Sequence, residues 1–212
     1  QRQQQQMRAQ MADSWRPRVA PGTAQGKAVL GGSAHQIADR LYLGSEEAAL
    51  RPLPELRALG IGAVVNCTCE GESGTACPHT ADGVEYTRVN VHDNAEADIL
   101  SHLATTADWI AKRRSAGTGV LVHCQEGVSR SATVVMAALM RGEGIGRDAA
   151  YLRVKEARRI AEPNASFWVQ LGQFDAEAQP EPCAAEGPEL PQCRVSIEPA
   201  AGRWRVSVEV LA

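Results

Sequence analysis

The stretch from Val120 to Val135, VLVHCQEGVSRSATVV, carries side chains that a buried strand and its turn do not need for folding. A His-Cys pair ends the apolar run, and Arg130 follows six residues after Cys124, between two serines. A thiolate is a competent nucleophile, and a guanidinium can grip two phosphate oxygens with its planar fork. These residue types at this spacing predict a site that binds an anion and attacks it.

The loop after Cys124 lies between a predicted strand and a predicted helix. Its backbone N–H groups can point inward as an anion nest, and the helix N-terminus adds the positive end of its dipole. Such a site holds the cysteine as a thiolate, while Gly127 permits close backbone approach. The loop is not a nucleotide-binding Gly-x-x-x-x-Gly-Lys loop, because it lacks the Lys of that motif. The residues expected to bind the phosphate are Gln125, Glu126, Gly127, Val128, Ser129 and Arg130.

The elements around this loop alternate between strands and helices, which predicts an α/β fold with a central, mostly parallel sheet flanked by helices. Apolar runs rich in β-branched residues predict strands at IGAVVNCTCE, VEYTRVNV and GVLVHC. Helices are predicted for ADILSHLATTADWIAKRRS, SATVVMAALMRGEG, GRDAAYLRVKEARR and NASFWVQLGQFDAEA. The second of these is apolar on all sides, so we expect it at the centre of the domain.

The flanking segments differ from this middle part in composition. Residues 1–34 are Gln-, Arg- and Gly-rich without periodicity, which predicts a disordered tail. We expect one domain over residues 35–178 and a Pro- and Glu-rich linker over 179–192. Residues 193–212 alternate polar and apolar side chains and predict a C-terminal β-hairpin that turns at Pro199 to Gly202. The chain does not begin with Met, which indicates a fragment or a processed chain.

Composition excludes several classes of function. The formal net charge is −3 and only 4% of the 212 residues are aromatic, so neither nucleic acid nor an anionic membrane is an expected partner. An apolar run of about 18 residues, as a transmembrane helix needs, is missing, and the N-terminus lacks the apolar region of a secretory signal. Six cysteines in such a chain predict reduced thiols in the cytoplasm, the nucleus or both.

The segment HCQEGVSRS resembles the His-Cys-x5-Arg-Ser signature of cysteine-based protein tyrosine phosphatases. Over residues 35–178, the segments IADRLYLGS, VHDNAEADI, HCQEGVSRSAT and EPNASFWVQL occur in the order typical of the dual-specificity branch. The chain resembles its atypical members, because residues 1–34 leave no room for a kinase-docking domain. The resemblance implies a shallow pocket for phosphotyrosine, phosphoserine and phosphothreonine, and chemistry without a metal or cofactor.

The resemblance also implies roles for the reacting groups. Cys124 attacks phosphorus and forms a cysteinyl-phosphate, while Arg130 and the loop amides hold the equatorial oxygens. Asp93 protonates the leaving oxygen and then acts as base on the attacking water. A purely capping role for Asp93 stays open, because Glu96 and Asp98 lie near it in the sequence.

The resemblance also implies supporting roles for residues around the nucleophile and the phosphate loop. Ser131 assists departure of the Cys124 thiolate, His123 tunes Cys124, and Asn164 braces the phosphate loop. A simple N-cap role for Asn164 is an alternative that can coexist with the first. Glu126 departs from the family pattern, in which a small residue is more usual. A carboxylate there opposes an incoming dianion and favours a basic neighbour on the substrate.

Two interpretations are open for each of the other cysteine, histidine and arginine residues that could do chemistry. One hypothesis is a zinc site formed by Cys67, Cys69, Cys77 and His79. A single residue separates the first two cysteines, which is fewer than the usual spacing of zinc ligands. The simpler interpretation is that they are thiols at strand ends without a ligand role. The resemblance implies that Cys67 could form a reversible disulfide with Cys124. Arg158 or Arg159 could contact a second phosphate, or belong to a solvated face.

Two other functions remain as alternatives to a protein phosphatase. One is a phosphatase of a phosphoinositide, a glucan or an RNA end, but the loop lacks extra basic residues and no carbohydrate module is visible. The other is a non-catalytic phosphoprotein-binding scaffold, which would lack the nucleophile, the arginine or the acid. The expected partner is a phosphorylated protein, with a protein kinase as one candidate, and the expected assembly is a monomer.

Overall fold

A computed structural model describes residue 17 and residues 27–72, 77–178, 193–200 and 203–210. The chain forms two compact units, residues 1–178 and residues 179–212. No helix in the described parts of the chain is both long and apolar enough to cross a bilayer.

The first unit is built on a six-stranded sheet. Its strands are β1 (Ala28–Val29), β2 (Ala34–Ala38), β3 (Leu41–Gly44), β4 (Ile61–Asn66), β5 (Glu85–Arg88) and β6 (Gly119–His123). They lie in the order β1-β2-β3-β6-β4-β5. Strands β3, β6, β4 and β5 pair in parallel, whereas β1 and β2 add an antiparallel edge. The predicted mostly parallel sheet is confirmed, and β6 lies inside it between β3 and β4.

Among the described residues, six α-helices accompany the sheet, besides two single-turn 3-10 helices at Leu30–Gly32 and Thr80–Asp82. The α-helices are α1 (Glu46–Ala49), α2 (Leu53–Ala58), α3 (Leu100–Ser115), α4 (Arg130–Glu143), α5 (Arg147–Ala157) and α6 (Ala165–Ala178). Every residue of α4 from Arg130 to Met140 is buried. This confirms the prediction of a central helix from its uniformly apolar sequence.

The sheet has an apolar cluster on each face, because successive strand residues point in opposite directions. In β6, Val120 and Val122 pack in the cluster that contains α3, α4, α5 and α6. Leu121 between them packs in the second cluster, with residues of α1 and α2. Cover on both faces explains why β6 is apolar as far as Val122 and buried along its whole length.

The prediction of a disordered tail up to residue 34 is wrong for its last residues. Ala28 pairs with His35 and Val29 with Ala34, so the sheet begins at β1. Gly31 and Gly32 have φ angles of 68° and 93° and reverse the chain between the strands. A two-residue strand is too short to produce a periodic signal in the sequence. The rest of the predicted tail, apart from residue 17, and the predicted linker lie outside the described residues.

The second unit contains the hairpin predicted from the alternating C-terminal sequence. Strands β7 (Cys193–Ala200) and β8 (Arg203–Val210) pair antiparallel in continuous register, from Cys193 opposite Val210 to Ala200 opposite Arg203. Pro199 belongs to the ladder opposite Trp204, so the strand runs further than the predicted turn at Pro199 allowed.

Candidate active site

The Cys124 loop begins where β6 ends and continues into the first turn of α4. This places it at the carboxyl edge of the parallel strands, where ligands bind in open α/β sheets. Cys124 and Arg130 are both 2% exposed. The two residues that the sequence predicted to do chemistry are therefore both buried and lie at the two ends of one loop.

The carbonyl groups of this loop are hydrogen-bonded to surrounding structure. The backbone pairs are Glu46 N to Gln125 O at 3.0 Å, Glu162 N to Val128 O at 2.7 Å, and Thr133 N to Ser129 O at 2.9 Å. Because the N–H and C=O of a peptide point in opposite directions, carbonyls directed at the surroundings turn the loop amides toward the interior of the loop. This is the arrangement that an anion nest requires, and phosphate binding by the loop stays a prediction.

Arg158 binds the two remaining loop carbonyls. Its Nε donates to Gly127 O and its Nη2 to Glu126 O, each at 2.9 Å. Its Nη1 lies 3.0 Å from Nδ1 of His35. Since a guanidinium only donates, this nitrogen of His35 must accept, so the ring is neutral with its proton on Nε2. Burial, and next the charge of Arg158, lower the pKa of His35.

The buried position of Arg158 corrects one sequence-based interpretation. With all three nitrogens used inside the protein and 4% exposure, its guanidinium does not face a second phosphate. Arg159, the other residue of the pair, is exposed, so contact with a second phosphate stays a prediction for Arg159. The sequence pattern had no signal for the loop-binding role, because the acceptors lie about 30 residues earlier in the chain.

Gly127 is required by both conformation and space. Its φ angle is +69°, in the left-handed region. A Cβ at this position would overlap the carbonyl oxygen of Gly44 and lie 2.9 Å from the backbone nitrogen of Ser45. The loop therefore packs directly on the end of β3, and a glycine is the residue that fits.

The Cys124 sulfur has two hydrogen-bond partners within the loop and helix. The Gly127 N–H lies 3.3 Å from Sγ, and the Ser131 hydroxyl oxygen lies 3.2 Å from it. Both groups can donate a hydrogen bond to a negatively charged sulfur. The structure thus places Ser131 in contact with the nucleophile, as the resemblance implied.

Arg130 is oriented by protein groups on one of its sides. Its Nη1 donates to Oε2 of Glu72 at 2.7 Å and to the carbonyl of Val91 at 3.3 Å. Its Nη2 makes a 3.3 Å contact with Oε1 of Gln125, and its buried Nε has no hydrogen-bond partner among the described residues. This leaves the edge formed by Nε and Nη2 as a fork for two phosphate oxygens.

Glu72 is a member of this site that sequence reasoning missed. Its carboxylate is 22% exposed and bridges Arg130 and His92, whose Nδ1 lies 3.3 Å from Oε1. Burial alone would raise the pKa of Glu72, but the hydrogen bond and the charge of Arg130 lower it overall. The same pair raises the pKa of Arg130 against the effect of burial. Glu72 lies in an irregular segment after β4, where no periodic pattern marks it.

Asp93 lies against the loop, whereas its sequence neighbours do not. Its Oδ1 accepts from the Ser129 hydroxyl at 2.7 Å, and its Oδ2 lies 3.8 Å from Nε of Arg130. Asp98 instead caps α3, accepting from the Ser101 N–H at 3.1 Å. Hydrogen bonds to Ser101 lower the pKa of Asp98. The geometry therefore favours Asp93 over Glu96 and Asp98 as the acid of the site.

Asn164 makes the contacts that both of the roles considered for it require. Its Oδ1 accepts from Phe167 N at 2.9 Å, which caps α6. Its backbone N–H donates to the Ser129 hydroxyl at 3.1 Å, and its Nδ2 donates to Oδ1 of Asp93 at 2.8 Å. Asn164 thus connects the loop, the candidate acid and the last helix.

His123 is buried at the end of β6. Burial is the main cause that lowers its pKa to about 4, so its ring is neutral at neutral pH. Its Nδ1 lies 3.4 Å from the backbone carbonyl of Cys124, which is the contact through which it can position the nucleophile.

Glu126 lies exposed at the rim of the loop. It lines an open cavity of about 550 Å³ together with Glu46, Glu47 and Arg51. Three carboxylates and one guanidinium face this space. The rim is therefore more negatively charged in the structure than Glu126 alone would make it.

The four residues considered for zinc do not form one cluster. Cys67 lies beside Cys124, because Asn66 pairs with His123 across β4 and β6. The His79 ring instead contacts the backbone carbonyl of Arg51, with Nε2 at 2.9 Å. Burial raises the pKa of the Cys67 thiol well above its ordinary value, and both thiols are free.

Comparisons of the sequence with known proteins identify the family. The family described as "Dual specificity phosphatase, catalytic domain" matches residues 41–177. Human dual specificity protein phosphatase 1 is 40% identical over 156 residues, which cover 73% of this chain and 41% of that protein. Human dual specificity protein phosphatase 4 is 39% identical over 157 residues, which cover 73% of this chain and 38% of the relative. The chain thus spans about two fifths of the length of these relatives.

Solved structures give the same answer. Human DUSP28 is 34% identical with a TM-score of 0.64, covering 74% of this chain and all of its own. The human tyrosine phosphatase-like serine/threonine/tyrosine-interacting protein is 30% identical with a TM-score of 0.65, covering 68% of this chain and 96% of its own. Since the matched region includes the whole Cys124 site, the chain belongs to the dual specificity phosphatase catalytic-domain family of the cysteine-based protein tyrosine phosphatases.

Proposed function

We propose that the chain hydrolyses phosphate monoesters on phosphotyrosine, phosphoserine and phosphothreonine of proteins, through a cysteinyl-phosphate at Cys124. The observation that carries this proposal is the contact of Cys124 Sγ with both the Gly127 N–H and the Ser131 hydroxyl, inside a loop whose other carbonyls face away. The names of the curated relatives, which are dual specificity protein phosphatases, support a protein substrate.

In the first step, the Cys124 thiolate attacks phosphorus and the bond to the ester oxygen breaks. The inward amides and the Nε–Nη2 edge of Arg130 bind the equatorial oxygens, where charge collects in the transition state. Asp93 donates its proton to the leaving oxygen. Oδ1 of Asp93 already accepts two hydrogen bonds, from Ser129 and Asn164, which leaves Oδ2 to carry that proton.

In the second step, water attacks the phosphocysteine and Asp93, now a carboxylate, takes its proton. The sulfur–phosphorus bond breaks and its electron pair returns to Sγ. The hydroxyl of Ser131 and the N–H of Gly127 stabilise the thiolate as it leaves. The products are inorganic phosphate and free enzyme, so the cycle requires no metal and no cofactor.

The proposed partner is a phosphorylated protein, with a protein kinase as one candidate, and the chain is proposed to act as a monomer in the cytoplasm or nucleus. We assign catalysis to the sheet and helices of residues 27–178, which extends the catalytic domain predicted for residues 35–178. The acidic cavity at Glu126 supports a preference for basic residues beside the phosphorylated one.

The test is release of phosphate from a peptide phosphorylated on both Thr and Tyr, with phosphoinositide vesicles assayed in parallel under reducing conditions. We expect turnover of the peptide, and a loss of about 10²–10⁴-fold in kcat for Asp93→Asn. Turnover of the lipid alone would contradict the protein substrate. If neither substrate is hydrolysed and the peptide still binds, the scaffold function replaces the enzyme.

A further inference from the structure

Three side chains with metal-binding atoms meet beside Arg130 and take no part in the proposed reaction cycle as nucleophile or acid. They are Cys69, Glu72 and His92, whose ligand atoms all lie within 4.8 Å of one another. Oε1 of Glu72 and Nδ1 of His92 are 3.3 Å apart. Two ligands bonded to a tetrahedral zinc ion at about 2.0–2.1 Å are separated by about 3.3 Å, so this pair already has the required spacing.

The three residues differ in exposure in a way that suits an ion entering from solvent. Cys69 is 5% exposed and provides a fixed thiol at the inner side of the cluster. The His92 side chain is 68% exposed, so its ring can rotate to close the remaining distance to the sulfur. Glu72 lies between these extremes.

Hydrogen bonds that do not use the proposed ligand atoms hold the cluster together. The Glu72 N–H donates to Cys69 O at 3.2 Å, which closes a turn between the two ligands. The Glu70 N–H donates to Oδ1 of Asn90 at 3.1 Å and ties this turn to the segment that carries His92. Arg130 binds Oε2 of Glu72, which orients the carboxylate and leaves Oε1 for an ion.

We propose that Cys69, Glu72 and His92 bind a divalent transition-metal ion of the zinc class, with water as the fourth ligand. Thiolate, imidazole and carboxylate are the donors that zinc takes in proteins, and three protein ligands with one open position is a common arrangement. On binding, Cys69 gives up its thiol proton and His92 coordinates through a neutral Nδ1. The ion is separate from the proposed hydrolysis, which needs none.

The position of the site gives the ion an effect on anion binding, and this part rests on the proposed function. The ion adds two positive charges and the lost thiol proton removes one, so the cluster gains a net charge of about +1. Because Glu72 contacts Arg130 directly, this charge lies close to the phosphate fork and attracts a phosphate there. We expect phosphopeptides to bind several-fold more tightly to the metal-loaded protein.

The binding test uses the full chain with Cys124→Ser, reduced, so that the catalytic thiol cannot be the ligand. We titrate it with Co²⁺ and follow the thiolate-to-cobalt absorption, then displace Co²⁺ with Zn²⁺. One equivalent should bind. The signal should disappear with an added Cys69→Ser and weaken at least tenfold with His92→Ala, which alters an exposed side chain and should not affect folding.

Matched controls come from the same part of the chain. Cys77→Ser and His102→Ala remove a thiol and an imidazole outside the cluster and should leave the titration unchanged. A cobalt–thiolate signal that persists without Cys69, or that depends on Cys77, would overturn the site.

Phosphopeptide affinity, measured by fluorescence anisotropy with and without Zn²⁺ on the Cys124→Ser protein, tests the second part. Tighter binding that requires Cys69 supports the link to Arg130. Metal binding without any change in affinity leaves the site in place and contradicts the link. Failure of all peptide binding would contradict the proposed function and not the metal site, since cobalt absorption reports the ion directly.

Discussion

Two buried arginines contact the Cys124 loop from different directions and do different work. Arg158 donates to the carbonyl groups of Glu126 and Gly127, which fixes the direction of the neighbouring amides. Arg130 is held by Glu72 on one side and offers its other edge to the phosphate. The first residue shapes the anion site and the second fills part of it, although only Arg130 has a sequence pattern that predicts its role.

We predict that Arg158→Lys impairs catalysis although it keeps the charge. A lysine cannot bind two carbonyls with one planar fork, and each buried group left unpaired costs about 1–3 kcal/mol. With a peptide phosphorylated on Tyr only, kcat/KM should fall at least tenfold. The neighbouring exposed Arg159→Lys serves as control and should stay within about twofold of wild type. Equal effects of the two substitutions would contradict the positioning role.

At the level of secondary-structure elements, the site depends on the close contact of strand ends. Strand β6 carries the nucleophile to the sheet edge, β3 supports the loop at Gly44, and β4 brings Cys67 alongside. The N-terminus of α4 then supplies Arg130 and Ser131 within one turn. Small changes in how these ends pack should therefore affect the site more than changes in the middle of the elements.

We predict that Gly127→Ala destabilises the fold by several kcal/mol and abolishes phosphate release. The substitution places a side chain at a positive φ angle and against the backbone of Gly44, and such strain costs about 1–3 kcal/mol before the clash is counted. Gly142→Ala is the matched control, because a Cβ at this helical position meets nothing within 4 Å. It should stabilise by about 0.5–1 kcal/mol in urea unfolding. Similar midpoints for both variants would disprove the packing role.

We predict that peroxide joins Cys67 to Cys124. Adjacent strands lie about 4.8 Å apart, within the Cα separation of about 4.4–6.8 Å that disulfides span. The Cys67 N–H also donates to His123 O at 2.8 Å, which keeps the two strand ends together. Peroxide would oxidise the Cys124 thiolate to a sulfenic acid, which Cys67 converts to a disulfide with loss of water. The protein is treated with peroxide and then digested, and mass spectrometry should find the peptide that links Cys67 to Cys124. Cys69→Ser should leave this linked peptide unchanged, and Cys67→Ser should abolish it.

The sequence predicted the parts of the site that are local in the chain. Cys124, Gly127, Arg130 and Ser131 lie within eight residues, and their types alone indicate an anion site with a nucleophile. Asp93 and Asn164 came from family resemblance. Glu72, by contrast, acts through a contact made 58 residues away, and Arg158 contacts carbonyls about 30 residues away. Nothing in the composition of their own segments marks them, because their roles exist only after folding.

The folding of the first unit as a whole buries one titratable ring beside the nucleophile. Apolar clusters on both faces of the sheet enclose β6, and His123 at its end is 1% exposed. Its lowered pKa means that the unfolded chain binds a proton more readily than the folded one. The protein is therefore expected to lose stability in acid through this residue.

We predict that the free energy of unfolding falls as pH decreases from about 6.5, the unfolded pKa of histidine, to about 4, the pKa of His123 in the fold. Stability from this group is fully present above 6.5, and about 3 kcal/mol is lost across the window. Urea unfolding at several pH values measures the slope. His123→Gln should reduce the slope whatever its stability at pH 7, while His102→Gln should not. An unchanged slope in His123→Gln would refute the assignment.

The most direct test is detection of phosphate on the Cys124 sulfur. Ser131→Ala removes the hydroxyl 3.2 Å from Sγ and should slow thiolate departure, so that the intermediate accumulates. Rapid acid quenching of this variant with a phosphotyrosine peptide, followed by mass spectrometry, should find phosphate on the peptide that contains Cys124. Ser115→Ala, at the exposed end of α3, is the control and should behave like wild type. Phosphate release by Ser131→Ala without any phosphocysteine, or phosphate release by Cys124→Ser, would contradict the proposed mechanism.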